Sequence, residues 1–176
     1  MNITLPNFQK YVDFRELSPQ EGDNIYRYIT LKPIIIKYSG LVPKNVKISC
    51  RDSAGREWLY IDSKHFIILK GYTWDGCSPK NHIPIFGWVG TIDFQKTILA
   101  SLAHDAFVQF CNIENFPLSR KSCDKIFYEI LKLQKFKLLR LYHMGVKIGT
   151  FINYVKSDTG LKVILTYSDN TLNKTT

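Results

Sequence analysis

Apolar positions in the first half of the chain come in short runs broken by turn residues, whereas in the second half they recur every three or four positions. Lys32 to Tyr38 (KPIIIKY), Val46 to Arg51 (VKISCR), Glu57 to Asp62 (EWLYID) and Phe66 to Tyr72 (FIILKGY) are rich in β-branched and aromatic residues and predict strands. Between them, Asp52-Ser53-Ala54-Gly55-Arg56 and Asp62-Ser63-Lys64 are short and polar, which favours hairpins and antiparallel pairing in a meander. From Thr91 the period changes. Thr91 is a predicted cap, Asp93 falls in a first turn, and Phe94, Ile98, Leu102 and Ala103 follow at helical spacing up to about Cys111. Ser119 predicts a second N-cap, with Ile126, Phe127, Ile130 and Leu131 on one face. A third helix is expected from about Leu138 to Tyr154, with Gly145 and Gly149 marking a close packing contact or a weak point. The run Leu161 to Tyr167 (LKVILTY) reads as a last strand, and the Asn/Thr-rich end from Ser168 as a frayed tail. Strands first and helices second predict an α+β fold in a single domain over 1–176, mainly β over 1–73 and mainly α over 91–155. The expected architecture is an N-terminal antiparallel β meander packed against a C-terminal three-helix unit.

Composition narrows the class. With 45% hydrophobic and 14% aromatic residues in 176, the chain can bury a core, which excludes disordered, collagen-like and coiled-coil classes. Charged or polar residues interrupt every apolar stretch, so no membrane span is expected. The start, MNITLPNFQKYVDF, lacks the unbroken apolar core of a secretion signal, and synthesis in the cytoplasm is the expectation. Cys50, Cys77, Cys111 and Cys123 include no pair at the spacing of a zinc knuckle or redox motif, and reduced thiols are expected. The net charge is +9, and between Pro117 and Lys147 eight Lys or Arg stand against two acids. Such an excess attracts nucleic acid, an anionic lipid or an acidic protein, or it is only the solvated face of amphipathic helices.

Two features carry candidate chemistry. In Gly71 to Pro79 (GYTWDGCSP) a strand runs into a turn that offers Asp75, Gly76 and Ser78 to position a loop or a substrate. The second is His104-Asp105 on the first helix. Neighbours on a helix point about 100° apart, so both can border one cleft. There the imidazole would take a proton from water while the carboxylate binds a hard cation. On the second helix Asp124 would face His104 if the two helices pack antiparallel, fixing the tautomer of the ring. Arg120, one turn earlier, would pair with Asp105 or Asp124, or hold an anionic substrate group. The plain alternative is a helix pair with His104 hydrogen-bonded in the core and Arg120 and Asp124 as a surface pair. His65, His82 and His143 form no metal-ligand spacing.

These residues, in this order, resemble a family of small proteins of unassigned function carried by phages and prophages. The resemblance rests on Asp75-Gly76-Cys77-Ser78-Pro79, Ala100 to Asp105, Ser119-Arg120 with Asp124 and Phe127, and the helix ending near Gly149, and it covers roughly Lys70 to Tyr154. It implies a phage context. In that family an aromatic residue follows His-Asp closely; here Phe107 and Phe110 stand there and no Tyr does. A weaker resemblance is to secreted phospholipase A-two in its small bacterial and viral forms. It implies a water-activating His104, an orienting Asp124, and a divalent cation, calcium above all, at Asp105 with carbonyls from the 71–78 loop.

Three readings stay open at this level. The first is a hydrolase-like phage protein acting on an ester or phosphodiester, with His104 and Asp124 catalytic. The second is a non-enzymatic virion or assembly component in which the same polar cluster is structural, and the third is a basic binder of host protein or nucleic acid. Partners admitted by these readings are virion proteins, a lipid or phosphodiester substrate, or further copies of the chain, with nucleic acid ranked lower. Location would be the host cytoplasm on synthesis, or the virion.

Overall fold

The computed structural model describes residues 12–18, 26–38, 40–77, 80–83, 87–90, 95–152 and 160–167, with the backbone course alone for 80–83, 87–90 and 148–152. The strands are β1 (Phe14–Glu16), β2 (Tyr28–Thr30), β3 (Ile34–Lys37), β4 (Val46–Arg51), β5 (Glu57–Ile61), β6 (His65–Ile68), β7 (Thr73–Trp74), β8 (Lys80–Ile83), β9 (Gly87–Gly90) and β10 (Lys162–Tyr167). The helices are α1 (Gln95–Phe110), α2 (Arg120–Leu133) and α3 (Leu139–Ile152). The class is α+β, as the change of period predicts: antiparallel sheets precede the helices, and one strand follows them.

The main sheet has the order β10-β4-β5-β6-β3, with antiparallel pairing throughout. Period-two alternation builds its inner face. Ile34 and Ile36 are buried while Ile35 between them is 49% exposed, and Val46, Ile48, Cys50, Leu59, Ile61, Phe66 and Ile68 complete the buried side. The two expected hairpins form, each closed by an Asp that accepts backbone hydrogens. Asp52 accepts from the Arg56 N–H at 2.8 Å and the Trp58 indole at 2.9 Å, and Asp62 accepts from Lys64 and His65 N–H at 2.7 and 2.8 Å. The meander extends over β4 to β6, and its two flanks are filled from a distance by β3 and β10.

The strand expected to run to Tyr72 ends at Ile68. Gly71 takes φ +90°, a backbone state that favours glycine, and its N–H bonds the Thr30 carbonyl at 2.9 Å. The buried Thr30 hydroxyl donates to the Leu69 carbonyl at 2.9 Å and accepts from the Tyr72 N–H at 3.0 Å. This corner turns the chain out of the main sheet into β7, which joins a second sheet of order β1-β2-β7 around Phe14, Tyr28 and Trp74.

Helix α1 is buried on most sides, and Phe107 meets Phe66 of the sheet at 4.5 Å between ring centroids. The predicted Thr91 cap, Asp93 and Phe94 lie outside the described residues, as does the tail from Ser168. Helix α2 is amphipathic, burying Cys123, Asp124, Ile126, Phe127, Ile130 and Leu131, and Ser119 caps it as predicted, its hydroxyl accepting from the Ser122 N–H at 3.3 Å. It ends in a Schellman turn: Phe136 N–H reaches the Leu131 carbonyl at 3.1 Å and Lys135 N–H the Lys132 carbonyl at 3.0 Å, with Lys135 at φ +51°. Lys135→Gly is therefore expected to raise stability by about 0.5 to 1 kcal/mol, read as a higher midpoint in urea at unchanged slope. A lower midpoint would show that the lysine side chain outweighs the relief of its backbone.

Candidate active site

The site is built where the β7 loop meets the α1–α2 hairpin. Helix α1 is rich in small residues, with Ala100, Ala103 and Ala106 fully buried, so α2 packs closely enough for polar groups on the two helices to touch. His104 is 7% exposed, and its Nε2 lies 2.8 Å from Asp124 Oδ1. The ring also sits edge-on to Phe127, 5.4 Å between centroids. Arg120 donates through Nε to the same Asp124 oxygen at 3.3 Å, so Asp124 is shared by the imidazole and the guanidinium. Of the two pairings open to Arg120 in the sequence, this one forms. It ties α2 to α1 through His104.

The other ring nitrogen faces Asp105. His104 Nδ1 lies 3.6 Å from Asp105 Oδ1, too long for a good hydrogen bond. Asp105 in turn has the Asp75 carboxyl of the β7 loop close enough to raise its pKa. Gly76 is buried at φ +89°, the backbone state that lets the loop turn immediately after Asp75. Cys77 is buried beside α1 and its thiol points to the Thr97 carbonyl at 3.9 Å, which ties the loop to the helix. Ser78 lies outside the described residues. Asp75, His104, Asp105, Arg120 and Asp124 thus come together as a connected set.

The set has distinct electrostatics at its two ends. Burial works against the charged form of Asp124, yet His104 and Arg120 together hold its carboxyl below the usual range. Asp105 is pushed up to about 7, by burial first and then by the Asp75 carboxylate, with His104 opposing. Burial disfavours the His104 imidazolium, but Asp105 and Asp124 more than offset it and raise its pKa. One carboxylate is therefore a fixed anion, and the other changes protonation near neutrality beside a histidine whose pKa is raised.

Sequence reasoning missed Tyr72 and gave His143 no role beyond its place on the third helix. Tyr72, on the corner that enters β7, is buried, hydrogen-bonds Gln109 Oε1 at 3.1 Å and feels Asp105 and Asp75; burial first, then those carboxylates, push its phenol well up. It brings a phenol to the acid pair from a different element than the positions after His-Asp, where Phe107 and Phe110 are wholly buried in the core. Only its place three residues before Asp75, next to Gly71, hinted at this. The ring of His143 on α3 lies tilted against Tyr128, 4.9 Å between centroids, and its pKa is lowered by burial and Lys147, with Asp124 opposing. His65 serves its hairpin, pairing with Asp62 at 3.2 Å, and the side chain of His82 is outside the description.

Among the described residues no group of three or more His, Cys, Asp or Glu converges as a metal centre, and no helix is long and apolar enough to cross a membrane. The Asp105 and Asp75 carboxylates offer oxygen, the donor a hard cation takes, with the His104 nitrogen beside them, but they form a partial set.

No curated protein and no solved structure matches the chain. Residues 55–146 match a family described as proteins of unknown function, DUF1353. That span runs from the β4–β5 hairpin to the middle of α3, so it contains the β7 loop, the corner before it and both helices that carry the polar set. Covering more than half of the 176 residues, the match makes the chain a member of this uncharacterised family.

Proposed function

We propose that the protein is a phage-encoded hydrolase that activates water against an ester or a phosphodiester. The carrying observation is the division of labour at His104: Nε2 is held by Asp124 at 2.8 Å, while Nδ1 is turned toward the Asp105–Asp75 pair. With the Nε2 proton donated to Asp124, the lone pair on Nδ1 is free to accept a proton from water. The water oxygen attacks the carbonyl carbon or phosphorus, its proton passes to Nδ1, and the leaving alkoxide takes that proton back. Asp124, held by Arg120, stabilises the imidazolium between these steps. A divalent cation, calcium in the first instance, would be held by Asp105 with Asp75 and would polarise the substrate oxygen. The rest of its about six to eight oxygen ligands would come from water, loop carbonyls and substrate. Synthesis in the host cytoplasm, with or without packaging in the virion, accords with the phage resemblance.

The test has two arms. Melting of wild type and Asp105→Asn with calcium, magnesium, manganese or zinc should show a cation-dependent rise in wild type that the mutant lacks. On phospholipid and phosphodiester substrates, His104→Ala should lose about 10²- to 10⁴-fold in rate. Equal rates for His104→Ala and wild type on the substrate found would sink the proposal. Because the base must be neutral and the His104 pKa is raised, kcat/KM should climb as pH passes from about 6.5 through neutrality. A profile flat from pH 6 to 9 would exclude His104 as the base.

The His104–Asp124–Arg120 linkage between α1 and α2 also favours a second reading, a virion or assembly component that the cluster only rigidifies. That reading expects no cation shift and a loss of stability from every substitution in the set.

A further inference from the structure

We infer that the turn from α2 to α3 and the outward face of α3 form a docking surface for a bilayer that carries anionic lipid. The inference does not depend on the hydrolytic reading. Between Leu133 and Met144 four large aliphatic side chains stay in water: Leu133 at the end of α2, Leu138 in the turn, and Leu141 and Met144 on α3, the last two each 57% exposed. Single exposed leucines are ordinary, but several in one stretch form a patch of the kind that marks an interaction site. Helix α3 is anchored from its other side, where Tyr142 and Val146 are buried and Tyr142 meets Phe136 edge-on at 4.9 Å between ring centroids. At about 100° per residue, Arg140, Leu141, Met144 and Lys147 fall within about 120° of one another, opposite those two.

The charge around these side chains is of one sign. From Lys132 to Lys147 there are five Lys or Arg and no acid, and all five cations are exposed. On α3 the two kinds of residue share a face, with Met144 between Leu141 on one flank and Arg140 and Lys147 on the other. A lipid interface asks for this mixture. Aliphatic side chains enter the acyl boundary, while Lys and Arg lay their methylene stems along it and keep their charges among the phosphates. Each cation close to an anionic leaflet is worth about fivefold in affinity. No helix among the described residues is long and apolar enough to cross a membrane, so the contact is with the bilayer surface.

Other anionic partners fit this face less well. Nucleic acid answers to the cations, but single strands stack their bases on exposed aromatic rings, and here Phe136 and Tyr142 are turned into the core while the exposed apolar groups are aliphatic. An acidic protein also matches the charge. Protein interfaces, however, gather their apolar side chains in a core depleted of Lys and set charge at the rim, whereas along this stretch cations and aliphatic side chains alternate.

The experiment sediments the full-length protein with vesicles of phosphatidylcholine, alone or mixed with phosphatidylglycerol, in chelator so that neither a bound divalent cation nor turnover contributes. Wild type should pellet with the anionic vesicles, stay in solution with the neutral ones, and bind more weakly as salt rises toward about 0.5 M. Leu141→Gln with Met144→Gln should cost about tenfold or more in vesicle affinity, and Arg140→Gln with Lys147→Gln about 30-fold. Both pairs are exposed, so each variant should melt like wild type. If the apolar pair fails to fold, the charge pair decides alone. The inference is overturned if wild type ignores anionic vesicles, if neutral vesicles bind it as tightly, or if either folded variant binds like wild type. It is equally overturned by tighter binding to duplex DNA that needs the cations but not Leu141 and Met144, or by a dimer in light scattering that Leu141→Gln with Met144→Gln dissolves.

Discussion

Asp124→Ala is expected to lower the stability of the protein by about 3 to 5 kcal/mol, a fall of about 10 °C in melting temperature for a chain of this size. The substitution leaves the nearly buried His104 and the Arg120 guanidinium without the one oxygen that both engage. The cost comes from stranding these partners rather than from the net worth of the pair, so His104→Gln made together with Asp124→Asn should recover part of the loss. The acid limb reports the same contact. A carboxyl held below its usual range contributes stability that is present above pH 3.8 and is lost as pH falls through the lower native value. Wild type should therefore lose stability on acidification in a step that Asp124→Asn lacks. A melting temperature for Asp124→Ala within a degree of wild type would mean that the hydrogen bond joining the helices is idle.

Asp105→Asn should do the opposite and raise stability above neutral pH. A carboxyl pushed up from 3.8 to about 7 binds its proton more tightly in the native state than in the unfolded chain. Stability then declines as pH rises between those values and stays reduced above them. His104 adds to the same limb, because a raised histidine contributes stability below 6.5 that disappears as pH rises through its native value. The Asp105 side chain keeps about a quarter of its surface in water, so solvent screening reduces the cost. The asparagine should gain about 1 to 2 kcal/mol at pH 8 and nothing at pH 3, read by urea midpoints at both. Such a gain is the mark of a group retained against stability, as active sites retain theirs. A loss at pH 8 equal to that of the other cluster substitutions would instead favour the structural reading.

Much of the fold is legible locally. Strands β3 to β5 follow from alternation, the two hairpins from Asp-rich turns, α2 from the Ser119 cap and its one-sided apolar stripe, and β10 from its β-branched run. The end of β6 is not legible, because Phe66 to Tyr72 remains strand-like by composition while a left-handed Gly71 and a hydroxyl from Thr30, far away in sequence, turn the chain. Strands β1, β2 and β7 are too short to show a period. They exist through pairing and an aromatic cluster assembled from three separate segments.

The candidate site divides in the same way. A histidine and an aspartate adjacent on a helix, with an arginine and an aspartate four apart on the next, are residue types and spacings, and periodicity alone orients them relative to each helix axis. Antiparallel packing after a short loop then suffices to foresee His104 against Asp124. The approach of Asp75 to Asp105 and the approach of Tyr72 follow from no local pattern. Each depends on where a corner or a turn closes in space, and on burial that changes the protonation of whatever is brought together. Residue chemistry is written along the chain, whereas proximity and desolvation arise only when distant segments exclude water between them.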